Sequence, residues 1–275
     1  PATKALVNME VAPETEMTIK ITGFQWRWKY EYIEDGIQFI SSLDADSNAA
    51  RRVDSGTDPV NVDNYLLDVD KPLVIPANTK IKFLITADDV IHSWWVPALG
   101  WKRDAVPGFI NEAWTEVMEP GVYRGQCAEL CGKDHGFMPI VLNVLPKADY
   151  QAWVAEQNEE VAHEQAETER LWTLDELMDR GAGVYAAQCA TCHQADGQGL
   201  APAFPALAGS GVTNGPLDAN IEVILHGRTG TAMPAWGSML SDSDIAATLT
   251  YTRNAFGNET GDVVQPQTIT RIKNG

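Results

Sequence analysis

Cysteine is scarce in this chain: four residues in 275, beside only five histidines. Two of the four thiols lie within the stretch CAELCGKDHGFMP (127–139), where a disulfide, a metal site and a redox-active thiol pair compete as explanations. Basic residues are also few, 20 Lys and Arg against 38 Asp and Glu, for a net charge of −18. Such a field argues against nucleic acid and anionic membrane surfaces as partners and suits a basic protein. Long apolar runs are missing too. No stretch reaches the roughly 18–20 uninterrupted apolar residues of a bilayer span. PATKALVNMEVAPETEM, which opens the sequence, is mixed and polar rather than a charged-then-apolar leader. The sequence as given therefore reads as water-soluble. With 44% hydrophobic and 21% charged residues it is rich enough to bury a core.

What is present divides into two textures. Residues 17–146 read as β-structure. In MTIKITGFQWRWKYEYI, Trp26, Trp28, Tyr30 and Tyr32 alternate with polar residues at the period of a half-buried strand. YLLDV, PLVIP, KIKFLIT and MPIVLNVL are further short β-like runs, separated by turn-rich segments such as DADSNAARRVDSGTDP and PALGWKRDAVPG. That spacing predicts a sandwich or small barrel. Residues 147–172 are acidic and helix-forming, and read as a linker or a solvated helix. Thr173 with Glu176, and Ser241 with Asp244, are helix-start signatures. The segment 173–257 is therefore expected to be a small all-α domain, and 258–275 a C-terminal tail.

Within the helical half, CATCH (189–193) is a C-x-x-C-H motif, the pattern of covalent haem attachment. Two thiols spaced by two residues can form thioethers with the two vinyl groups of one porphyrin, with His193 beneath the iron. A thioredoxin-like pair would need a βαβ setting, which the pattern lacks. The one other cysteine pair that zinc could use lies far off in the β-rich half. A porphyrin would also supply the core that so small a helical domain needs. The opposite iron ligand is expected to be Met233, in the Gly-rich loop GRTGTAMPAWG, since thioether ligation raises a haem potential. Met239, before a helix start, reads as packing. His226, after a helical run, reads as an exposed or hydrogen-bonded side chain.

With Cys189 and Cys192 so used, Cys127 and Cys131 stand alone. A disulfide between them would close a tiny loop, stabilise little, and leave His135 and Met138 without a role. Thiolates at i and i+4, imidazole at i+8 and thioether at i+11 form a soft set that selects copper or zinc, with the methionine favouring copper. A second thiolate suggests two bridged coppers, and His92 at the mouth of a predicted strand could complete the set.

Two resemblances follow from these motifs. Residues 173–257 resemble a class I cytochrome c. That likeness places Tyr185 as an aromatic on the first helix and Pro205 as the residue whose carbonyl orients the proximal imidazole. Tyr251 falls on the last helix, which packs on the first. Residues 17–146 resemble the soluble domain of cytochrome c oxidase subunit II, a cupredoxin-like sandwich, so residues 1–146 are expected to form the domain that holds the dinuclear CuA centre. The resemblance implies Cys127 and Cys131 as bridging ligands, His92, His135 and Met138 as terminal ligands, and the Glu129 carbonyl as a weak one. It also implies a Mg²⁺ shared between the Glu129 carboxylate and oxidase subunit I. WRWKYEY places Trp26 where electrons enter the family's copper domain, and Asp88 and Asp89 match an acidic rim that docks cytochrome c.

Taken together, the resemblance implies an electron-transfer subunit of a haem–copper terminal oxidase. Electrons would pass from a c-type cytochrome or other donor through haem c to CuA and on to subunit I, where oxygen is reduced and protons are pumped. A fused cytochrome is similar to the arrangement in caa3-type oxidases. The implied setting is the periplasmic side of a bacterial inner membrane. The family's N-terminal hairpin of two membrane helices is not in the sequence, so the chain is expected to be the extramembrane part of a longer precursor, held by those helices or by subunit I. Two alternatives are weaker. A nitrous oxide reductase needs a histidine-rich catalytic domain, and three of five histidines are already assigned. A copper-delivery protein gives Met138 and the haem motif no task.

Overall fold

The computed structural model describes residues 2, 3, 7, 14–51, 56–228, 231, 233, 235–237 and 239–274. It divides into two units, residues 1–158 and 159–275.

The first unit is a β-sandwich. Strands β1 (Met17–Phe24), β2 (Arg27–Tyr32) and β3 (Gln38–Ser41) precede a short helix α1 (Ala45–Ala50). There follow β4 (Leu73–Pro76), β5 (Lys80–Ala87), β6 (His92–Trp95), β7 (Lys102–Ala105), β8 (Asn111–Glu116), β9 (Gly121–Cys127) and β10 (Pro139–Leu145). They form two five-stranded sheets, ordered β3-β2-β1-β5-β8 and β4-β10-β9-β6-β7. Alternation dictates the layers: Ile19, Ile21, Trp28, Tyr30, Phe83 and Ile85 of the first sheet are fully buried with Trp94, Ile140 and Leu142 of the second. Burying such side chains stabilises by roughly 1.5–3 kcal/mol each, before conformational entropy is set against it.

Several segments differ from their sequence patterns. MTIKITGFQWRWKYEYI is a hairpin, with Phe24 paired to Arg27 and only Gln25 and Trp26 in the turn. Trp28, Tyr30 and Tyr32 are buried strand residues, but Trp26 is a half-buried turn residue. A two-residue loop preserves the alternation, which is why the pattern ran through it. YLLDV forms no strand. Asn64 and Leu66 adopt left-handed φ of 50° and 61°, and only an isolated bridge joins Leu43 to Val69. DADSNAARRVDSGTDP contains α1, capped by Asp44, whose carboxylate accepts from the amides of Asp46 and Ser47. PALGWKRDAVPG contains β7.

Residues 147–169 form one helix, α2 (Lys147–Glu169). Its first turns belong to the sandwich: Tyr150 is buried and donates to Asp35 at 2.8 Å, and Trp153 packs on Tyr32 with ring centroids 5.3 Å apart. The expected linker thus begins as part of the sandwich core.

The second unit is helical. Helix α3 (Leu174–Val184) continues through a π-helical turn (Tyr185–Cys189) into α4 (Ala190–His193), followed by α5 (Leu217–His226), α6 (Asp242–Asn254) and α7 (Pro266–Asn274). Both expected starts are formed: Thr173 and Glu176 make a reciprocal capping box, and Ser241 accepts from the Asp244 amide at 3.1 Å. Arg180 of α3 donates to Asp244 of α6 at 2.7 Å. Residues 258–275 are more than a tail, because Val264 and Ile269 bury against Ile221, Leu225, Ile245 and Leu249. That apolar core is small.

Candidate functional site

In the sandwich, three chain segments converge at one end. β6 begins with His92, and its neighbour β9 ends with Cys127; the pairing of Trp94 with Cys127 sets the two side by side. The Cys127 amide donates to the Met138 carbonyl at 3.3 Å, closing the neck of a loop between β9 and β10. Within that loop lie Cys131 and a single 3-10 turn, His135–Phe137.

The side chains meet around this loop. Cys127 Sγ and Cys131 Sγ are 3.8 Å apart. That exceeds the roughly 2.05 Å of a disulfide, and all four cysteines are free thiols. His92 Nδ1 is 4.0 Å from Cys127 Sγ, while His135 Nδ1 and Met138 Sδ each lie 3.5 Å from Cys131 Sγ. His92, Cys127, Cys131 and Met138 are buried, and His135 is half-buried. The Glu129 carbonyl is 3.4 Å from Cys127 Sγ, and the Glu129 residue is exposed. Two buried thiols with two imidazoles and a thioether form a soft donor set, the chemistry that holds copper.

A polar shell holds these groups. Asp89 Oδ1 lies 2.9 Å from His92 Nε2, leaving Nδ1 toward the thiols. The Asp89 carboxylate also accepts from the amides of Gln25 at 2.7 Å and Val90 at 2.6 Å. Gln25 Nε2 and Trp26 Nε1 both donate to the Cys131 carbonyl, at 2.7 and 3.2 Å. The hairpin turn thus bridges the His92 strand and the cysteine loop. Lys133 lies over the Trp26 ring, 5.7 Å from its centroid.

Electrostatics follow from this packing. Burial presses the His92 pKa down, but Asp89 and the Cys127 thiol more than offset it and raise it to about 9. Burial pushes the Cys127 thiol up, yet the hydrogen bonds from His92 and the Ser93 backbone bring it below the usual thiol value. Cys131 moves up through burial and the neighbouring Cys127 thiolate. One thiol of the pair is thus poised to ionise first.

In the helical unit the C-x-x-C-H motif straddles the π-helical turn and α4. Burial, with Cys192 beside it, raises the Cys189 thiol to about 11. His193 Nδ1 lies 2.9 Å from the Pro205 carbonyl, so the ring donates there and its Nε2 is left able to ligate. Tyr185 is buried, donates to the Gln194 carbonyl at 2.6 Å, and packs on Tyr251 and Phe256 with centroids 5.5 and 5.0 Å away. These features fit a covalently held haem. Met233 is half-buried, and its backbone is tied to Arg228 and Thr231; Pro234 lies outside the described residues. His226 is exposed and paired with Glu222 at 3.3 Å.

Sequence reasoning grouped Asp88 and Asp89 as a charged rim. Both are exposed, and Asp89 in addition bonds to His92, Gln25 and Val90. Gln25 was missed, and its signal was weak: a polar residue in a turn gives no hint that its amide reaches a carbonyl more than a hundred positions away.

A β-sandwich with a buried thiol pair, two imidazoles and a thioether, joined to a helical unit bearing C-x-x-C-H, defines a class: a cupredoxin-like copper domain followed by a c-type cytochrome domain. Residues 17–145 match the family described as cytochrome c oxidase subunit II, periplasmic domain, and residues 176–251 match cytochrome c oxidase, cbb3-type, subunit III. The chain is 49% identical over 159 residues to a probable cytochrome c oxidase subunit 2 of Rickettsia felis, covering 58% of this chain and 47% of that protein. It is 42% identical over 158 residues to cytochrome c oxidase subunit 2 of Arabidopsis thaliana, covering 57% and 59%. The crystal structure of the periplasmic domain of cytochrome oxidase subunit II from Bradyrhizobium japonicum is 36% identical, with 55% of this chain and 99% of that one covered and a TM-score of 0.47. Through residues 17–145 the chain is thus similar to the cytochrome c oxidase subunit II family. It spans about half the length of the Rickettsia relative. Among the described residues, no helix is long and apolar enough to cross a membrane.

Proposed function

We propose that the chain is the electron-relay part of an oxygen-reducing haem–copper oxidase, taking electrons from a c-type cytochrome or other donor and delivering them to subunit I. A dinuclear copper pair and a covalent haem c supply the one-electron chemistry when bound. The observation that carries this reading is the pair of buried sulfurs 3.8 Å apart, with His92, His135 and Met138 drawn onto them.

The protein's own residues have distinct tasks. Cys127 and Cys131, with His92, His135, Met138 and the Glu129 carbonyl, would hold the copper. Cys189 and Cys192 would tether the porphyrin, and His193, held by Pro205, and Met233 would ligate its iron. Burial and the hydrogen-bonded shell of Asp89 and Gln25 hold the copper ligands still, so that little rearranges when charge changes. Trp26, which donates to the Cys131 carbonyl, is the point where electrons enter the copper domain. The exposed Asp88 belongs to the face that meets a basic donor. The Glu129 carboxylate would take part in a Mg²⁺ site completed by subunit I.

The setting is the periplasmic side of a bacterial inner membrane, reached through preceding membrane helices or subunit I. The fused cytochrome and its acidic helix keep a donor at high effective concentration beside the copper domain, as in a caa3-type arrangement. The deciding experiment is low-temperature EPR and optical spectroscopy of the copper-loaded, haem-matured chain. A signal with hyperfine splitting shared over two coppers, beside a low-spin His/Met haem, is expected. A mononuclear copper spectrum would remove one cysteine from the bridge. Absence of any copper signal in metal-replete protein would overturn the oxidase reading.

A further inference from the structure

Arg51, just past the end of α1, reaches the copper loop from outside the ligand set. Its guanidinium carbon lies 4.5 Å from the Phe137 ring centroid, and its Nη1 is 3.4 Å from Asp134 Oδ1. Those two residues bracket His135, at one position before it and two after. Phe137 and Asp134 also close the turn between them, the Phe137 amide donating to the Asp134 carbonyl at 2.9 Å. Arg51 therefore grips both ends of the one-turn segment that carries His135.

The loop needs an external hold. Gly132 and Gly136 stand on either side of His135, and glycine carries the largest backbone entropy to be lost on ordering. His92 has Asp89 to fix its ring. Among the described residues, His135 has no side-chain partner but Cys131. Asp134 gives no capping hydrogen bond to its own turn, and its carboxylate goes to Arg51 instead. The platform beneath Arg51 is held by hydrogen bonds. Its Nε donates to Asn48 at 2.8 Å, and its amide donates to the Ser47 carbonyl at 3.0 Å. Ser47 is fully buried and accepts from the Leu66 amide at 3.1 Å. Asp44 caps the same helix.

We propose that Arg51 is a positioning residue: it preorganises the His135 turn so that the imidazole is aimed at the thiol pair before metal arrives. A planar cation stacked on an aromatic face while pairing with a carboxylate is a task lysine performs poorly. The inference rests on the copper reading above, and its first readout does not.

The test compares the full chain with Arg51→Ala and Arg51→Lys. In metal-free protein, amide exchange at residues 135 and 137 is expected to speed up roughly 10-fold in Arg51→Ala, with exchange in β1 and β5 unchanged. Arg51→Lys should fall between the two, and it keeps the test open if the alanine variant folds poorly. In copper-loaded protein, Arg51→Ala should alter the His135 nitrogen couplings and release copper to a chelator several-fold faster, leaving the His92 couplings in place. Unchanged exchange in the metal-free chain overturns the proposal outright. Faster exchange with unaltered couplings and copper release, in a parent that binds two coppers, reduces Arg51 to a structural contact and also overturns it. A parent that binds no copper pair sinks the copper reading, and the positioning role with it.

Discussion

The Asp89 carboxylate stands 2.9 Å from His92 Nε2, on the side of the ring opposite the Cys127 sulfur. A carboxylate behind a ligating imidazole fixes both its orientation and its tautomer. Against burial, this contact and the Cys127 thiol together raise the His92 pKa to about 9 in the metal-free chain, from an ordinary value of 6.5. A histidine raised on folding contributes stability that is complete below the unfolded value and fades as pH climbs through the folded one.

Asp89→Asn should therefore act twice. Copper affinity, measured by chelator competition, is expected to fall about 10–100-fold. In urea denaturation of the metal-free chain, the parent should lose stability between pH 6.5 and about 9, and the variant should lose much less over that window. Equal slopes in the two proteins would show that Asp89 does not hold the His92 proton.

Gly132 adopts φ +120°, and a Cβ there would stand 3.0 Å from both Gln25 Nε2 and the Trp26 ring. Gly132→Ala is expected to cost about 1–3 kcal/mol through backbone strain alone. It should also displace the turn whose two side chains donate to the Cys131 carbonyl. Chemical denaturation gives the first effect, and the Trp26 environment, followed by near-UV circular dichroism, gives the second. A variant as stable as the parent with the same near-UV spectrum would mean that the loop is not pinned at this position.

How much of this was legible beforehand depended on sequence separation. Cys127, Cys131, His135 and Met138 fall within twelve consecutive positions, so their convergence needs only one loop, and the soft donor set is visible in the text. The helix caps at Thr173 and Ser241 are equally local. His92 lies 35 positions from Cys127 and was placed by a strand pattern together with a family likeness. Asp89 was seen, but as a rim charge, because nothing local tells which way a loop carboxylate turns. Gln25 and Arg51 were invisible: the first reaches across 106 positions to Cys131, and the second meets the loop only once α1 has folded against it. Trp26 was assigned to a strand because a two-residue turn leaves the alternation of its flanks intact.

In the helical unit, Gly181 of α3 crosses α6 so closely that a Cβ would lie 2.1 Å from the Ala247 carbonyl oxygen. The obstacle is backbone and cannot rotate away. Gly181→Ala should force the two helices apart at a cost of about 3 kcal/mol, the upper end of ordinary overpacking. It should also disturb Tyr185 and Tyr251, which meet further along the same pair. Thermal unfolding followed at the haem Soret band tests this. An unchanged midpoint would mean the helices already cross farther apart than the fold indicates.

Glu176 closes the capping box of α3. Its carboxylate accepts from the Thr173 amide and hydroxyl and pairs with Arg170, and these contacts hold its pKa at about 2, below the ordinary 4.5. A carboxylate depressed on folding contributes stability that is complete above the unfolded value and disappears as pH falls through the folded one. Glu176→Gln keeps the shape and removes the charge. The stability gap between the parent and this variant, read from urea denaturation of the helical signal, should stay constant above about pH 4.5. It should narrow steadily toward pH 2, where the parent carboxylate is itself protonated. Because the side chain is exposed, added salt should shrink the share due to Arg170 and leave the share due to Thr173, a short hydrogen bond to the first turn's own backbone. A gap that vanishes entirely at high salt would assign the whole effect to the ion pair and remove the cap as the reason this helix starts where it does.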